Sequence, residues 1–202
     1  MALELMSFCN ICPRECGVNR GEGPGGCGHP SLGICGQGPD SKIALVSKHD
    51  WEEPPISGTR GSGTIFFSGC NLRCKYCQNF DVSRGRIGKI VSVKRLAEIF
   101  LEQQTRGMHN INLVTPTHFL LSIIEALKMA REQGLHIPVV YNTSGYEKPE
   151  AIKALDGLVD IYLSDFKYAD DELGKKLSAV RDYSKCADLA LDTMYDSVGS
   201  YV

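Results

Sequence analysis

From residue 63 onward the chain alternates short apolar runs with amphipathic stretches in units of about 30 residues, a pattern that few folds accommodate. The runs "TIFFSG" (64–69), "NINLVT" (110–115), "IPVVYNT" (137–143) and "VDIYLSDF" (159–166) read as strands. After the first of them, Ser92 is placed to cap a helix whose apolar face is Val93, Leu96, Ala97, Phe100 and Leu101. A second helix is predicted from about Pro116 to Gln133, with a stripe of Phe119, Leu120, Ile123, Ile124, Leu127 and Ala130, and with Gly134 as its stop. "KPEAIKALDG" (148–157) reads as a short helix and residues 169–198 as helical in two pieces. Strands joined through helices must cross over, which makes a parallel sheet and an α/β fold.

Parallel sheets hold ligands beyond the carboxyl ends of their strands. Each unusual polar cluster of this chain falls there: "SGCNLRCKYC", "TPTH", "NTSGY" and "SDFKY" follow the four strands in turn. They are expected to face one site. Ahead of this core, residues 9–40 are rich in Gly, Cys and Pro without helical or strand period, so metal ligation would have to supply their fold. "KIALVS" (42–47) reads as a strand and "HDWEEPPISGTRGSG" as loop. The expected division is a Cys-rich metal-binding segment at 1–41, a connecting segment at 42–62 and the βα core at 63–202.

A net charge of -2 without long Lys/Arg blocks leaves no electrostatic footprint for nucleic acid. No apolar run approaches the roughly 20 residues that span a bilayer, and "MALELMSFCN" lacks the basic and apolar regions of a secretory leader. A cytoplasmic, membrane-free location is therefore expected. In a reducing compartment nine cysteines argue for metal or redox use over a disulfide framework. Five of them lie between 9 and 35 and three between 70 and 77, which implies two sites. Cys186 stands alone and suits helix packing as a small apolar residue.

Cys70, Cys74 and Cys77 form C-x3-C-x2-C on the loop after the first strand of the core. Three thiolates reach three corners of a [4Fe-4S] cube and leave the fourth iron open to a small molecule with an amine and a carboxylate. A zinc or ferredoxin site with a distant fourth ligand, such as His49, is the alternative. At these residues the chain resembles the radical SAM superfamily, whose signature is C-x3-C-x-aromatic-C after the first strand of a partial (β/α)6 barrel. The wider strings "HDWEEPPISGTRGSGTIFFSGCNLRC" and "CPRECGVNRGEG" resemble a narrower group, the pyruvate formate-lyase activating enzyme-like proteins.

The resemblance implies an open [4Fe-4S] cluster, S-adenosylmethionine as cofactor and Tyr76 packed on the adenine. It implies reductive cleavage of S-adenosylmethionine to a 5'-deoxyadenosyl radical that activates a glycyl radical enzyme, with flavodoxin or ferredoxin as reductant. Radical modification of a small molecule or another protein, and a non-catalytic iron-sulfur or zinc protein for electron transfer or assembly, are the alternatives. Family members carry Gly-Gly-Glu at the second strand tip, where this chain has Thr115-Pro116-Thr117-His118. Thr115 and Thr117 could accept from the nucleotide's ammonium. Equally, Thr115 as N-cap with Pro116 at the first position would simply start the helix, and His118 would be an exposed first-turn residue.

By the same likeness Asn142, Thr143, Asp165 and Lys167 would contact the methionyl carboxylate, the ribose or a cation, whereas an Asp165–Lys167 surface pair is the plain alternative. Cys9, Cys12, Cys16 and Cys27, with Cys35 as rival fourth ligand, would close a second site. Its metal is a [4Fe-4S] cluster, which the resemblance favours, or zinc. Only four of the six βα units of the family barrel are legible, so the chain reads as truncated, with its last strand an open edge for an oligomer or second chain to complete.

Overall fold

The computed structural model describes residues 8–20 and 33–200. One sheet organises them, with strands β1 (Lys42–His49), β2 (Ser62–Phe67), β3 (Lys89–Ile90), β4 (Ile111–Val114), β5 (Val139–Thr143) and β6 (Ile161–Ser164) in the spatial order β3-β1-β2-β4-β5-β6. The four strands expected from the apolar runs are parallel, with Gly63 opposite Ile111, Ile111 opposite Val139 and Val140 opposite Ile161. The fold is α/β, as the alternation requires.

Residues 42–49 do more than lead into the core: β1 pairs antiparallel with β2, His49 opposite Ser62 and Ile43 opposite Phe67. The two-residue β3 adds to its other side, Lys42 opposite Ile90. Among the described residues β6 has β5 as its sheet neighbour and forms the other edge.

The helices are α1 (Pro54–Ser57), α2 (Phe80–Ser83), α3 (Val93–Thr105), α4 (Leu120–Glu132), α5 (Pro149–Lys153), α6 (Asp171–Ser178) and α7 (Tyr183–Val198). α3 starts as the sequence dictates: the Ser92 hydroxyl accepts the Arg95 N–H at 3.2 Å, satisfying one of the orphan donors of a first turn. Leu96, Ala97, Ile99 and Phe100 then face inward.

α4 departs from expectation. A 3-10 turn over Thr117–Phe119 precedes it, and the α-helix begins only at Leu120, so Thr115 is not its N-cap. The first turn is tightened because Thr117 and His118 bond to other elements instead of to their own helix. Gly134, at φ +96, ends the helix in a conformation that a Cβ disfavours. The short α1, α2 and β3 left no periodic signal in the sequence.

Ile65, Phe67, Ile111, Leu113, Val139 and Tyr141 on the sheet pack against Leu96, Phe100, Ile123 and Leu127 of the helices. Each such burial contributes roughly 1.5–3 kcal/mol. The carboxyl ends of β2, β4, β5 and β6 are thereby fixed side by side. After β6, α7 buries Ala187, Ala190 and Met194, with Cys186 half-buried beside them. Among the described residues no helix is long and apolar enough to cross a membrane.

Candidate functional site

β2 ends at Phe67, and the chain turns at once into the three-cysteine loop. Gly69, at φ +85, donates its N–H to Val82 O at 2.7 Å, and an added Cβ there would lie 2.8 Å from the Cys35 carbonyl oxygen. The fully buried Asn71 pins the loop to the segment that follows β5 by donating Nδ2 to Tyr146 O at 2.7 Å. Arg73 sits in the left-handed region, φ +54, and Cys77 N–H reaches Cys74 O at 3.3 Å.

Cys74 is buried in an apolar cluster with Leu72, Tyr146, Tyr168, Val180 and Tyr183, and Cys70 and Cys77 border it. Burial pushes the Cys70 thiol up; the backbone N–H groups of Arg73 and Leu72 bond to its sulfur and oppose that, and the nearness of Cys74 and Cys77 pushes it up again. Three sulfurs that repel one another as thiolates need a positive centre to hold them, and N–H groups already turned toward one sulfur suit an iron-sulfur cluster. The residues fit that group.

The strand-tip residues arrange themselves around the same end of the sheet. Thr115 is half-buried just past β4, and Asn142, half-buried, lies opposite Val114. Thr117 and Thr143 are both buried and both donate their hydroxyls to Glu147 Oε1, Thr143 at 2.5 Å. Asp165 and Lys167 form an ion pair at 2.5 Å. Burial works against the Lys167 charge, but the bond and charge of Asp165, together with Cys74 and Tyr76, hold its pKa above the ordinary value. Lys167 therefore lies within the field of the cysteine loop. Tyr76 is 52% exposed and stands edge-on to Tyr168, ring centroids 6.3 Å apart.

Glu147 was not foreseen. Burial raises its pKa to about 7 against the pull of the two threonine hydroxyls, and its Oε2 has no partner. An acid just past the "NTSGY" strand tip was the signal. Two other expectations are corrected. His118 is not an exposed first-turn residue: it is 2% exposed, donates Nε2–H to Ser68 O at 2.7 Å and lies against Phe119. Burial drops its pKa to about 3, so it is neutral. His49 cannot complete a site with Cys70, because antiparallel pairing with Ser62 puts it at the opposite end of β2, near Glu52.

The amino-terminal segment packs directly on this end of the sheet. Cys9, Cys12, Cys16 and Cys35 line one small cavity together with Arg14, Arg20, Asn71 and His118. Cys27 lies outside the described residues. Arg14 reaches four carbonyls, those of Asn71 (2.8 Å), Leu72 (3.2 Å), Ser178 (2.7 Å) and Ala179 (2.7 Å). Arg73 answers from the loop with Nη1 to Ile34 O at 2.8 Å. Lys148 pairs with Glu15. Among the described residues no three or more His, Cys, Asp or Glu groups converge closely enough for a single bare metal ion.

The family model for the Radical SAM superfamily matches residues 64–198, the whole βα core. The chain belongs to the radical SAM superfamily. An uncharacterized protein of Methanocaldococcus jannaschii is 33% identical over 192 residues, covering 91% of this chain and 52% of that protein. A second uncharacterized protein of the same organism is 26% identical over 159 residues, 73% of this chain and 46% of its own length. The pyruvate formate-lyase-activating enzyme of Clostridium pasteurianum is 32% identical over 113 residues, 54% of this chain and 46% of that enzyme. The chain spans about half the length of these curated relatives. Membership in the radical SAM superfamily implies a [4Fe-4S] cluster and S-adenosylmethionine.

Proposed function

We propose that this radical SAM chain is of the activating type, acting on a glycine of a partner glycyl radical enzyme. The observation that carries the reading is the set of just three thiols, Cys70, Cys74 and Cys77, on the loop past the first parallel strand of the core. Three sulfur donors leave one iron of a cube without a protein ligand. With S-adenosylmethionine held there, one-electron reduction would supply methionine and a 5'-deoxyadenosyl radical able to take a hydrogen atom from the target. The partial likeness to the activating enzyme of Clostridium pasteurianum supports the choice of target.

The chain's own groups take the following roles in this reading. Lys167, held beside Asp165, would attract the methionyl carboxylate, and Asp165 and Asn142 would serve the ribose or sulfonium. Tyr76 offers the adenine a partly exposed aromatic face. Thr115 presents a hydroxyl to the ammonium, while Thr117 and Thr143 act through Glu147, which ties the tips of β4 and β5 together. The partners called for are a low-potential donor such as flavodoxin or ferredoxin, the glycyl radical enzyme, and a strand or chain that covers the open edge of β6.

The test is anaerobic reduction with S-adenosylmethionine, followed by quantification of 5'-deoxyadenosine. Release that falls to background in Cys74→Ala is expected. Absence of the nucleoside from the intact protein would favour a non-catalytic iron-sulfur or zinc protein. A glycyl radical signal by EPR in a co-incubated partner supports the activating role; nucleoside release without it would point to modification of a small molecule or another protein.

A further inference from the structure

We infer that Cys9, Cys12, Cys16 and Cys35 are the ligands of a second, closed four-thiolate iron-sulfur centre seated on the three-cysteine loop. Sequence spacing named Cys27 as fourth ligand with Cys35 as its rival. Among the described residues Cys35 lines the same small cavity as the other three sulfurs, which completes a set of four.

The environment of the four sulfurs is built for thiolates. Arg20 Nη1 lies 3.9 Å from Cys9 Sγ. The Arg14 N–H bonds to the Cys12 sulfur, the Ile34 N–H to Cys16 Sγ at 3.4 Å, and the Gln37 N–H to the Cys35 sulfur. Every sulfur thus meets a donor. Cys12 and Cys35 take theirs from the residue two positions on, as Cys70 does from Leu72 in the loop that holds the family's cluster. Gly17 and Gly36 follow Cys16 and Cys35 in the left-handed region, φ +64 and +68, a backbone conformation that glycine adopts without strain and that turns the chain directly after each of these cysteines. Gly33 is packed so closely on Cys16 that a Cβ would come within 2.9 Å of its Sγ.

Charge points the same way. Arg20 is 1% exposed, and its other partners are the carbonyls of Gln37 (3.0 Å) and Gly38 (2.5 Å). A buried guanidinium is costly without a counter-charge. Four thiolates around a dicationic cluster core leave a net negative charge that supplies it. His118 lines the cavity as well, and its buried Nδ1 has no partner. Four protein ligands close the coordination, so the centre is for structure or for electrons, not for substrate.

The ligand chemistry is four thiolates around an iron-sulfur cluster, since among the described residues these groups do not converge on a single bare ion. The test uses the full chain carrying Cys70→Ala, Cys74→Ala and Cys77→Ala, so that the loop's own cluster contributes nothing and failure of the proposed function has no bearing. Native protein is alkylated before and after metal removal, the sites are read by mass spectrometry, and iron, sulfide and zinc are counted. Expected are one centre per chain and protection of Cys9, Cys12, Cys16 and Cys35 that disappears with the metal, while Cys27 reacts throughout. Cys27→Ala should keep the metal and Cys35→Ala should lose it. Metal-dependent protection of Cys27 with Cys35 reactive, or no metal bound in this background, would overturn the inference. Iron with sulfide on that ligand set supports the inference, and zinc in its place would overturn it.

Discussion

The loop at 69–77 and the segment at 8–37 are both built around cysteine, yet they are held in opposite ways. The loop is placed by the sheet: β2 delivers it, Asn71 ties it to Tyr146, and an apolar wall of tyrosines backs it. The amino-terminal segment has no helix or strand among its described residues, and its shape comes from turns, N–H groups aimed at sulfur and one buried guanidinium. With three sulfurs on a rigid tip, a cluster remains open to a ligand; with four in a soft wrapping, the metal becomes the core that the segment lacks. The two meet at Gly69 against Cys35 and at Arg14 and Arg73.

Removing metal should break the comparison open. Hydrogen exchange before and after chelation is expected to show near-complete loss of protection at 8–20 and 33–40, while β2, β4 and β5 keep theirs. Equal loss in both would mean that the sheet also depends on metal. Arg14→Ala sharpens the contact between the regions: losing four charge-assisted bonds to carbonyls is expected to cost about 2–4 kcal/mol in urea unfolding. It should also raise exchange at Asn71 and Leu72. An unchanged loop would make the segment a mere appendage.

The smallest effect concerns Glu147. Its folded pKa is raised from 4.5 to about 7, so the folded state binds the proton more tightly, and stability present below about pH 4.5 declines as pH rises toward 7. Glu147→Gln keeps an oxygen for both threonine hydroxyls and removes the titration. Between pH 5 and pH 8 the wild type should lose on the order of 1–3 kcal/mol relative to the variant, read as a thermal midpoint lower by about 5 °C. Parallel pH profiles would show that the carboxyl does not titrate in this range.

The sequence by itself determined the parallel sheet, the Ser92 cap and the three-sulfur tip, because each rests on local periodicity or spacing that neighbouring residues cannot overrule. It could not place β1 or bury His118. The antiparallel pairing of β1 with β2, and a histidine bonded to Ser68, 50 positions earlier, leave no periodic trace. Glu147 was hidden for the same reason, since its partners come from two different strand tips. Only the tertiary structure set Cys35 beside Cys9, Cys12 and Cys16, because a segment without its own core takes its shape from the surface onto which it packs.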